Sequence, residues 1–197
     1  CSSDLDELLG YSCEDLQLSE KNHADADRAY NAVGTWLATQ GSELRQYNPI
    51  IYPQGSFRIG TTVRPIGSNE YDLDFVCEMQ GMNWSHISAI DVLNAVEKRL
   101  REHGTYRSMI ERKNRCIRLT YANQFHMDIL PAAPEIPKNG TCVRVPDREL
   151  KDWKASNPKG YAEWFEGRSR LYSERLKEMR IEPMPRAETA DEKMPLQ

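Results

Sequence analysis

Three short stretches of the chain carry side chains that could bind phosphate groups and divalent cations. Gly55-Ser56 follows a short apolar segment, Asp72 and Asp74 are one residue apart, and Asp128 stands alone in an apolar run. Glycine lets the backbone approach a phosphate closely, and serine offers a hydroxyl and an amide. Carboxylate oxygens suit Mg²⁺ and Mn²⁺ better than zinc. The three stretches together indicate phosphate chemistry assisted by hard cations.

Asp128 connects the acidic pair to a predicted metal site. Strand alternation sends its apolar neighbours to the opposite face, and an unpaired carboxylate in such a strand is costly. The cost disappears if Asp128 lies beside Asp72 and Asp74 on a neighbouring strand and the three share divalent cations. Two such ions about 3.5–4 Å apart activate a hydroxyl and stabilise a leaving pyrophosphate. We therefore predict two Mg²⁺ ions, with Mn²⁺ as the alternative, and a nucleoside triphosphate substrate.

The predicted triphosphate ligands are Gly55 and Ser56, and Gln54 and Arg58 are further candidates. A helix that starts at about Phe57 would direct its N-terminus at the phosphates. The neighbouring hydroxyls and the next arginine could support this turn; they are Thr61, Thr62 and Arg64. His126 lies on the same face of the strand as Asp128. We expect its side chain to lie beside the metal ligands or to face solvent rather than to bind the metal itself. A Walker A loop and the kinase glycine-rich and H-R-D elements are absent from the sequence.

The elements that must position these residues follow from hydrophobic periodicity. Helices are predicted after Ser19 over 19–40, over 87–100, and from Asn157-Pro158 onward, where Trp164 and Phe165 take core positions. A short extended segment delivers the chain to Gly55. Strands are predicted over 71–77 and, as a meander, over 106–110, 116–121 and 125–130. The acidic pair then occupies one face of its strand.

Composition excludes several classes of protein. The 197 residues are 39% hydrophobic and 28% charged, near the globular average, which excludes a low-complexity or wholly disordered chain. A net charge of −4 argues against coating of duplex nucleic acid. The sequence shows no membrane span and no signal peptide. Five scattered cysteines without a C-x-x-C pair predict reduced thiols in a cytoplasmic protein rather than a disulfide framework or a zinc site.

Three segments together, 54–65, 70–74 and 126–131, resemble the DNA polymerase beta-type nucleotidyltransferase superfamily. Within it they are most similar to the CD-NTases, bacterial relatives of animal cGAS that make cyclic oligonucleotide signals in antiphage defence. The resemblance implies an α+β fold with a mixed, mostly antiparallel sheet, flanked by helices and preceded by a long spine helix. It implies a catalytic core over 1–150, and over 151–197 a linker and the start of a truncated helical lobe.

The resemblance also implies roles for the site. Gly55 and Ser56 would bind the donor triphosphate, and Asp72, Asp74 and Asp128 would hold both metals, with Asp128 helping to activate an acceptor ribose hydroxyl. The implied enzyme makes a cyclic di- or trinucleotide from ATP, with GTP as a further substrate, and its product reaches a downstream effector. Two alternatives stay open: transfer to an RNA 3′ end, small molecule or protein, and a non-catalytic nucleotide-binding defence subunit.

Overall fold

The computed structural model describes residues 2–65, 70–122, 124–135 and 140–178 of the chain. Within them it forms one mixed sheet, with helices on both faces. The helices are α1 (Ser2–Leu16), α2 (Glu20–Ala38), α3 (Gly55–Arg58), α4 (Ala89–Glu102) and α5 (Pro158–Glu178). The strands are β1 (Pro49–Gln54), β2 (Tyr71–Met79), β3 (Ile110–Arg112), β4 (Ile117–Tyr121), β5 (Phe125–Pro134), β6 (Val143–Asp147) and β7 (Asp152–Ser156).

The sheet has the strand order β1-β2-β5-β4-β3, with β6 paired to the far end of β5 and β7 paired to β6. β2 and β5 run parallel, and all other named pairs are antiparallel. This open sheet confirms the predicted α+β class with a mixed, mostly antiparallel sheet. The parallel pair lies in the interior of the sheet, where both strands are hydrogen-bonded on both sides.

Helices α2 and α4 cover one face of the sheet because each carries a continuous apolar stripe. The Ser19 hydroxyl caps α2 by accepting from the Asn22 amide at 3.2 Å, as the sequence predicts for a helix after Ser19. Tyr30 of α2 stacks on Phe75 of β2 at a ring distance of 4.7 Å. The core between sheet and helices includes, fully buried, Leu37, Phe75, Leu93, Leu100, Ile117, Leu119, Met127 and Ile129.

The opposite face of the sheet carries the predicted acidic side chains. Along β2, buried Tyr71, Leu73 and Phe75 alternate with the more exposed Asp72 and Asp74. β5 alternates in the same way, so its polar positions share the face of Asp72 and Asp74. The face covered by α2 and α4 therefore forms the main core, and the other face exposes Asp72 near the start of β2, where a site can form.

Several predicted elements differ in detail. The strand predicted over 106–110 has the wrong bounds. Tyr106–Ser108 is a 3-10 turn, and the strand runs from Ile110 to Arg112 as β3, although the predicted meander of β3, β4 and β5 is present. Tyr106 is buried, and its ring stacks on that of His103 at 4.0 Å. The apolar character at this position therefore reflects packing and not pairing with another strand. Helix α1 and strands β6 and β7 have no counterpart among the predicted elements.

Both helices that bear on the site depart from expectation. The predicted helix from about Phe57 is the single turn α3, which already begins at Gly55. α5 begins as predicted at Pro158, but Trp164, predicted to be in the core, has 56% of its surface exposed. The predicted linker in 179–197 lies outside the described residues. Among the described helices, none combines the length and the apolar character needed to cross a membrane.

Candidate active site

The strand register brings the three predicted carboxylates to one region of the sheet face. Asp74 of β2 is paired in register with Asp128 of β5, and Asp72 is paired with His126. The side chain of Asp128 is 15% exposed and that of Asp72 is 60% exposed. Burial raises the pKa of Asp74 above its ordinary value, and the charges of Asp128 and Asp72 raise it further. The three side chains thus form an electrostatically coupled acidic group.

The predicted phosphate turn lies directly against this acidic group. Gln54, the last residue of β1, is paired in register with Asp74. Gly55 follows with φ of +61°, in the left-handed region that favours glycine. A Cβ on Gly55 would lie 2.8 Å from Asp74 Oδ2, closer than ordinary packing allows. Glycine is therefore required here both by the backbone conformation and by the neighbouring carboxylate.

An aromatic column anchors the turn to the core. Phe57, in the middle of α3, is 1% exposed. Its ring lies 5.2 Å from that of His23 and 6.0 Å from that of Phe75. Because Phe75 is in the same strand as Asp74, the aromatic contact fixes α3 relative to the carboxylates.

Hydroxyl and amide contacts close the turn around Ser56. The Thr62 hydroxyl donates to Ser56 Oγ at 3.0 Å, and the Thr61 amide donates to the Ser56 carbonyl at 2.9 Å. Thr62 thus orients the Ser56 hydroxyl. The next cation along, Arg64, is exposed, and its amide donates to the Leu16 carbonyl at 2.7 Å.

Arg58, a predicted triphosphate ligand, forms an ion pair with Glu166 of α5. α5 is also held to the sheet by Lys159, whose ammonium lies 2.9 Å from Glu78 Oε2 and over the ring of Tyr52 at 4.3 Å. The Tyr52 hydroxyl donates to the same carboxylate oxygen at 2.9 Å. α5 is therefore fastened both to the phosphate turn and to the face of the sheet that carries the acidic group.

Arg118 of β4 is the site residue that sequence reasoning missed. Its Nε and Nη2 donate to Asp128 Oδ1 and Oδ2 at 2.6 and 2.8 Å, and Nη2 lies 3.0 Å from Asp72 Oδ1. The antiparallel register of β4 and β5 places Arg118 opposite Asp128. The sequence does contain a signal for this contact. A short turn joins the two predicted strands, and a hairpin at this turn pairs position 118 with position 128.

Two further side chains border the acidic group. His126 Nε2 lies 2.7 Å from Glu70 Oε2, and Nδ1 lies 3.5 Å from Asp72 Oδ1, so the imidazole bridges two acidic residues. Burial raises the pKa of the Cys116 thiol to about 12, and the nearby charge of Asp128 and its hydrogen bond to the thiol add to this effect. Its surroundings therefore favour the protonated thiol.

The fit of this site to divalent cations rests on its donor set. Among the residues that the structure describes, no three His, Cys, Asp or Glu side chains are grouped so that they could hold a metal ion. The Arg118 guanidinium contacts two of the three predicted carboxylates, Asp128 and Asp72. The donors are nonetheless three carboxylates on one face, with oxygen atoms of the kind that Mg²⁺ and Mn²⁺ prefer. The Arg118 guanidinium is bonded to two of these carboxylates, so the site accepts a positive charge.

The fold and this site together define a nucleotidyltransferase-like domain, with acidic residues on adjacent parallel strands beside a Gly-Ser turn. The family model of the Second Messenger Oligonucleotide or Dinucleotide Synthetase domain matches residues 4–168. The chain therefore belongs to this family, and the resemblance to the CD-NTases is confirmed.

Similar proteins support the same assignment. The chain is 35% identical over 161 residues to a c-di-GMP synthase of Roseivirga ehrenbergii, covering 82% of this chain and 43% of that protein. It is 36% identical over 135 residues to the cyclic dinucleotide synthase CdnG of Bradyrhizobium diazoefficiens. This match covers 68% of this chain and 31% of CdnG. The structure of that CdnG in complex with GTP superposes with a TM-score of 0.70 at 28% identity, covering 90% of this chain and 53% of CdnG. The chain thus spans less than half the length of these two curated relatives.

Proposed function

We propose that the protein containing this chain is a nucleotidyltransferase that joins nucleoside triphosphates through ribose hydroxyls into a cyclic oligonucleotide. One relationship carries the proposal: Gly55 contacts Asp74, and Asp74 is paired in register with Asp128. This relationship supports a role for the turn in binding phosphate beside the two carboxylates. The chain belongs to the Second Messenger Oligonucleotide or Dinucleotide Synthetase family, and two of its relatives are named as cyclic dinucleotide synthases.

In the proposed reaction, the chain positions two nucleotides for in-line transfer. The Ser56 hydroxyl, oriented by Thr62, binds the donor triphosphate, and Gly55 leaves room for the phosphates beside Asp74. Asp128 offers a carboxylate oxygen to the proton of the acceptor ribose hydroxyl. The ribose oxygen then forms a bond to the α-phosphorus, the bond to the β-phosphate oxygen breaks, and pyrophosphate leaves. Repeating the step within the linear product closes the ring.

Asp72, Asp74 and Asp128 are the proposed ligands of two Mg²⁺ or Mn²⁺ ions. When bound, such ions would neutralise the triphosphate and lower the pKa of the attacking hydroxyl. Support comes from the donor set and from the cationic group that it already holds. Gln54, in register with Asp74, is a further proposed triphosphate contact. Arg58 would join it by exchanging its carboxylate partner on α5 for phosphate oxygens.

We propose GTP as a substrate because a c-di-GMP synthase and a GTP-bound CdnG are among the similar proteins. ATP, expected from the sequence analysis, is the second nucleotide to test. The direct experiment supplies the protein containing this chain with α-³²P-labelled GTP, ATP or both, with Mg²⁺ or Mn²⁺ and no added acceptor. A small labelled product that resists phosphatase is the expected result.

Two controls make this experiment decisive. The double change Asp72→Asn and Asp74→Asn should abolish the product, whereas Asp15→Asn, an exposed change on α1, should leave it unchanged. Labelling that depends on an added RNA, small molecule or protein would contradict the cyclic product and support another acceptor. Nucleotide binding without any transfer would support a non-catalytic subunit.

The product is further proposed to act as a second messenger in antiphage defence through a downstream effector. Support comes from the family description, which names second-messenger synthesis. Bacteria that produce the unchanged protein should show fewer phage plaques than bacteria that produce the Asp74→Asn variant. Equal plaque counts in the two strains, at equal protein levels, would contradict this role.

A further inference from the structure

We propose that Arg118 is a built-in counter-cation of the acidic site: it holds Asp72 and Asp128 in place in the metal-free protein and is displaced from them as divalent cations bind. Arg118 is thus a positioning residue that acts through these carboxylates. The inference rests on the metal site of the proposed function and adds a competitor to it.

The need for a counter-cation follows from the strand register. Asp74 and Asp128 are neighbours on adjacent parallel strands, and Asp72 lies one alternation away on the same face. Three carboxylates in a partly desolvated group repel one another unless a cation lies among them. Of the cationic side chains, Arg118 is the one whose guanidinium contacts the predicted ligands from two different strands in the described part of the chain.

The contact geometry makes the guanidinium a competitor of a metal ion at Asp128. Both oxygens of Asp128 accept from Arg118, at 2.6 and 2.8 Å, in a bidentate pair. The same Nη2 atom lies 3.0 Å from Asp72 Oδ1 and so joins the two carboxylates. A cation that binds the oxygens of Asp128 and Asp72 therefore competes with Arg118 for the same carboxylates, and we infer that it weakens these bonds.

A second arginine in the neighbourhood shows what an ordinary structural ion pair looks like. Arg115 Nε donates to Asp147 Oδ2 at 2.8 Å, and Asp147 is also satisfied by the Leu150 amide at 3.1 Å. That pair involves one buried carboxylate and none of the predicted ligands. Arg115→Gln is therefore the matched control for Arg118→Gln, since each removes a guanidinium that is bonded to a buried or partly buried aspartate.

The test measures Mn²⁺ binding by the metal-stripped protein without nucleotide, by calorimetry and by the electron paramagnetic resonance signal of free Mn²⁺. Arg118→Gln should lower the dissociation constant by about five- to tenfold, because the competitor is gone. Arg118→Lys keeps the charge without the bidentate fork and should lower it by about two- to threefold. Arg115→Gln should leave it unchanged.

Thermal unfolding supplies a second readout. In EDTA, Arg118→Gln should unfold at a lower temperature than the unchanged protein, and Mn²⁺ should recover the loss. Arg115→Gln should also lose stability, and Mn²⁺ should add no more than it adds to the unchanged protein. If Arg118→Gln does not fold in EDTA, Arg118→Lys provides the same comparison.

The outcomes separate this inference from the proposed function. Unchanged or weaker Mn²⁺ binding in both Arg118 variants, with cyclic product still made by the unchanged protein, would overturn only the role of Arg118. Tighter binding in these variants without any product from the unchanged protein would keep the inference and overturn the proposed function. Mn²⁺ binding that survives Asp74→Asn would overturn the metal site and the inference together.

Discussion

Gly55 and Asp74 are in direct contact, so that a Cβ at position 55 would lie 2.8 Å from the Asp74 Oδ2 atom. The contact couples the turn after β1 to the acidic face of β2. Any side chain at position 55 must displace either the turn or the carboxylate, and both belong to the proposed active site.

We expect Gly55→Ala to reduce turnover about 100-fold or more, because misplaced catalytic groups lose that much rate. The left-handed backbone adds about 1–2 kcal/mol of destabilisation. Gly41→Ala is the matched control, since Gly41 also has a positive φ of 91° but would have nothing within 4 Å of its Cβ. It should lose similar stability and keep full turnover. Equal turnover in the two variants, measured from initial rates, would contradict the role of the contact.

Asp74→Asn should stabilise the metal-free protein while abolishing turnover. Burial and the charges of Asp128 and Asp72 raise the pKa of Asp74, so its ionised form is unfavourable in the folded state. The neutral amide relieves this repulsion. A higher melting temperature in EDTA at pH 7, with no product formed, is the expected pair of results. Asp15→Asn should change neither quantity, and a lower melting temperature for Asp74→Asn would contradict the electrostatic argument.

Asp147 should contribute to the loss of stability in acid. The Leu150 amide and then the Arg115 guanidinium lower its pKa from 3.8 to about 2. Since the folded pKa lies below the unfolded one, the contribution is complete above about pH 4 and is lost as the pH falls toward 2. Urea unfolding of the unchanged protein and of Asp147→Asn should therefore differ most above pH 4 and converge near pH 2. A difference that does not shrink in acid would refute this prediction.

Two helix glycines should respond to alanine in opposite directions. A Cβ on Gly34 of α2 would collide with the Ile51 side chain of β1, whereas a Cβ on Gly167 of α5 would have nothing within 4 Å. Gly167→Ala should therefore stabilise the protein by up to about 1 kcal/mol through helix propensity. Gly34→Ala should destabilise it by about 1–3 kcal/mol through overpacking. The free energies of unfolding in urea give both values, and stabilisation by Gly34→Ala would show that Ile51 yields without cost.

Elements with strong local signals could be predicted from the sequence. The Ser19 cap and the apolar spacing that follows it specify α2, and alternation over 71–77 specifies β2 with its acidic face. These features depend on residues close together in the chain. Residues 106–110 misled the prediction because Tyr106 is buried by stacking on His103, a contact that does not depend on strand geometry.

The amino-acid sequence alone determined which residues could do chemistry: a glycine and a serine at the start of α3 and three aspartates on two strands. Which of them meet was decided by the parallel register of β2 with β5 and the antiparallel register of β1 with β2. The pairing of Arg118 with Asp128 differs, because the short turn between β4 and β5 is a local signal for that register. Register between distant strands depends on the packing of the whole sheet against α2 and α4, so local periodicity carries no record of it.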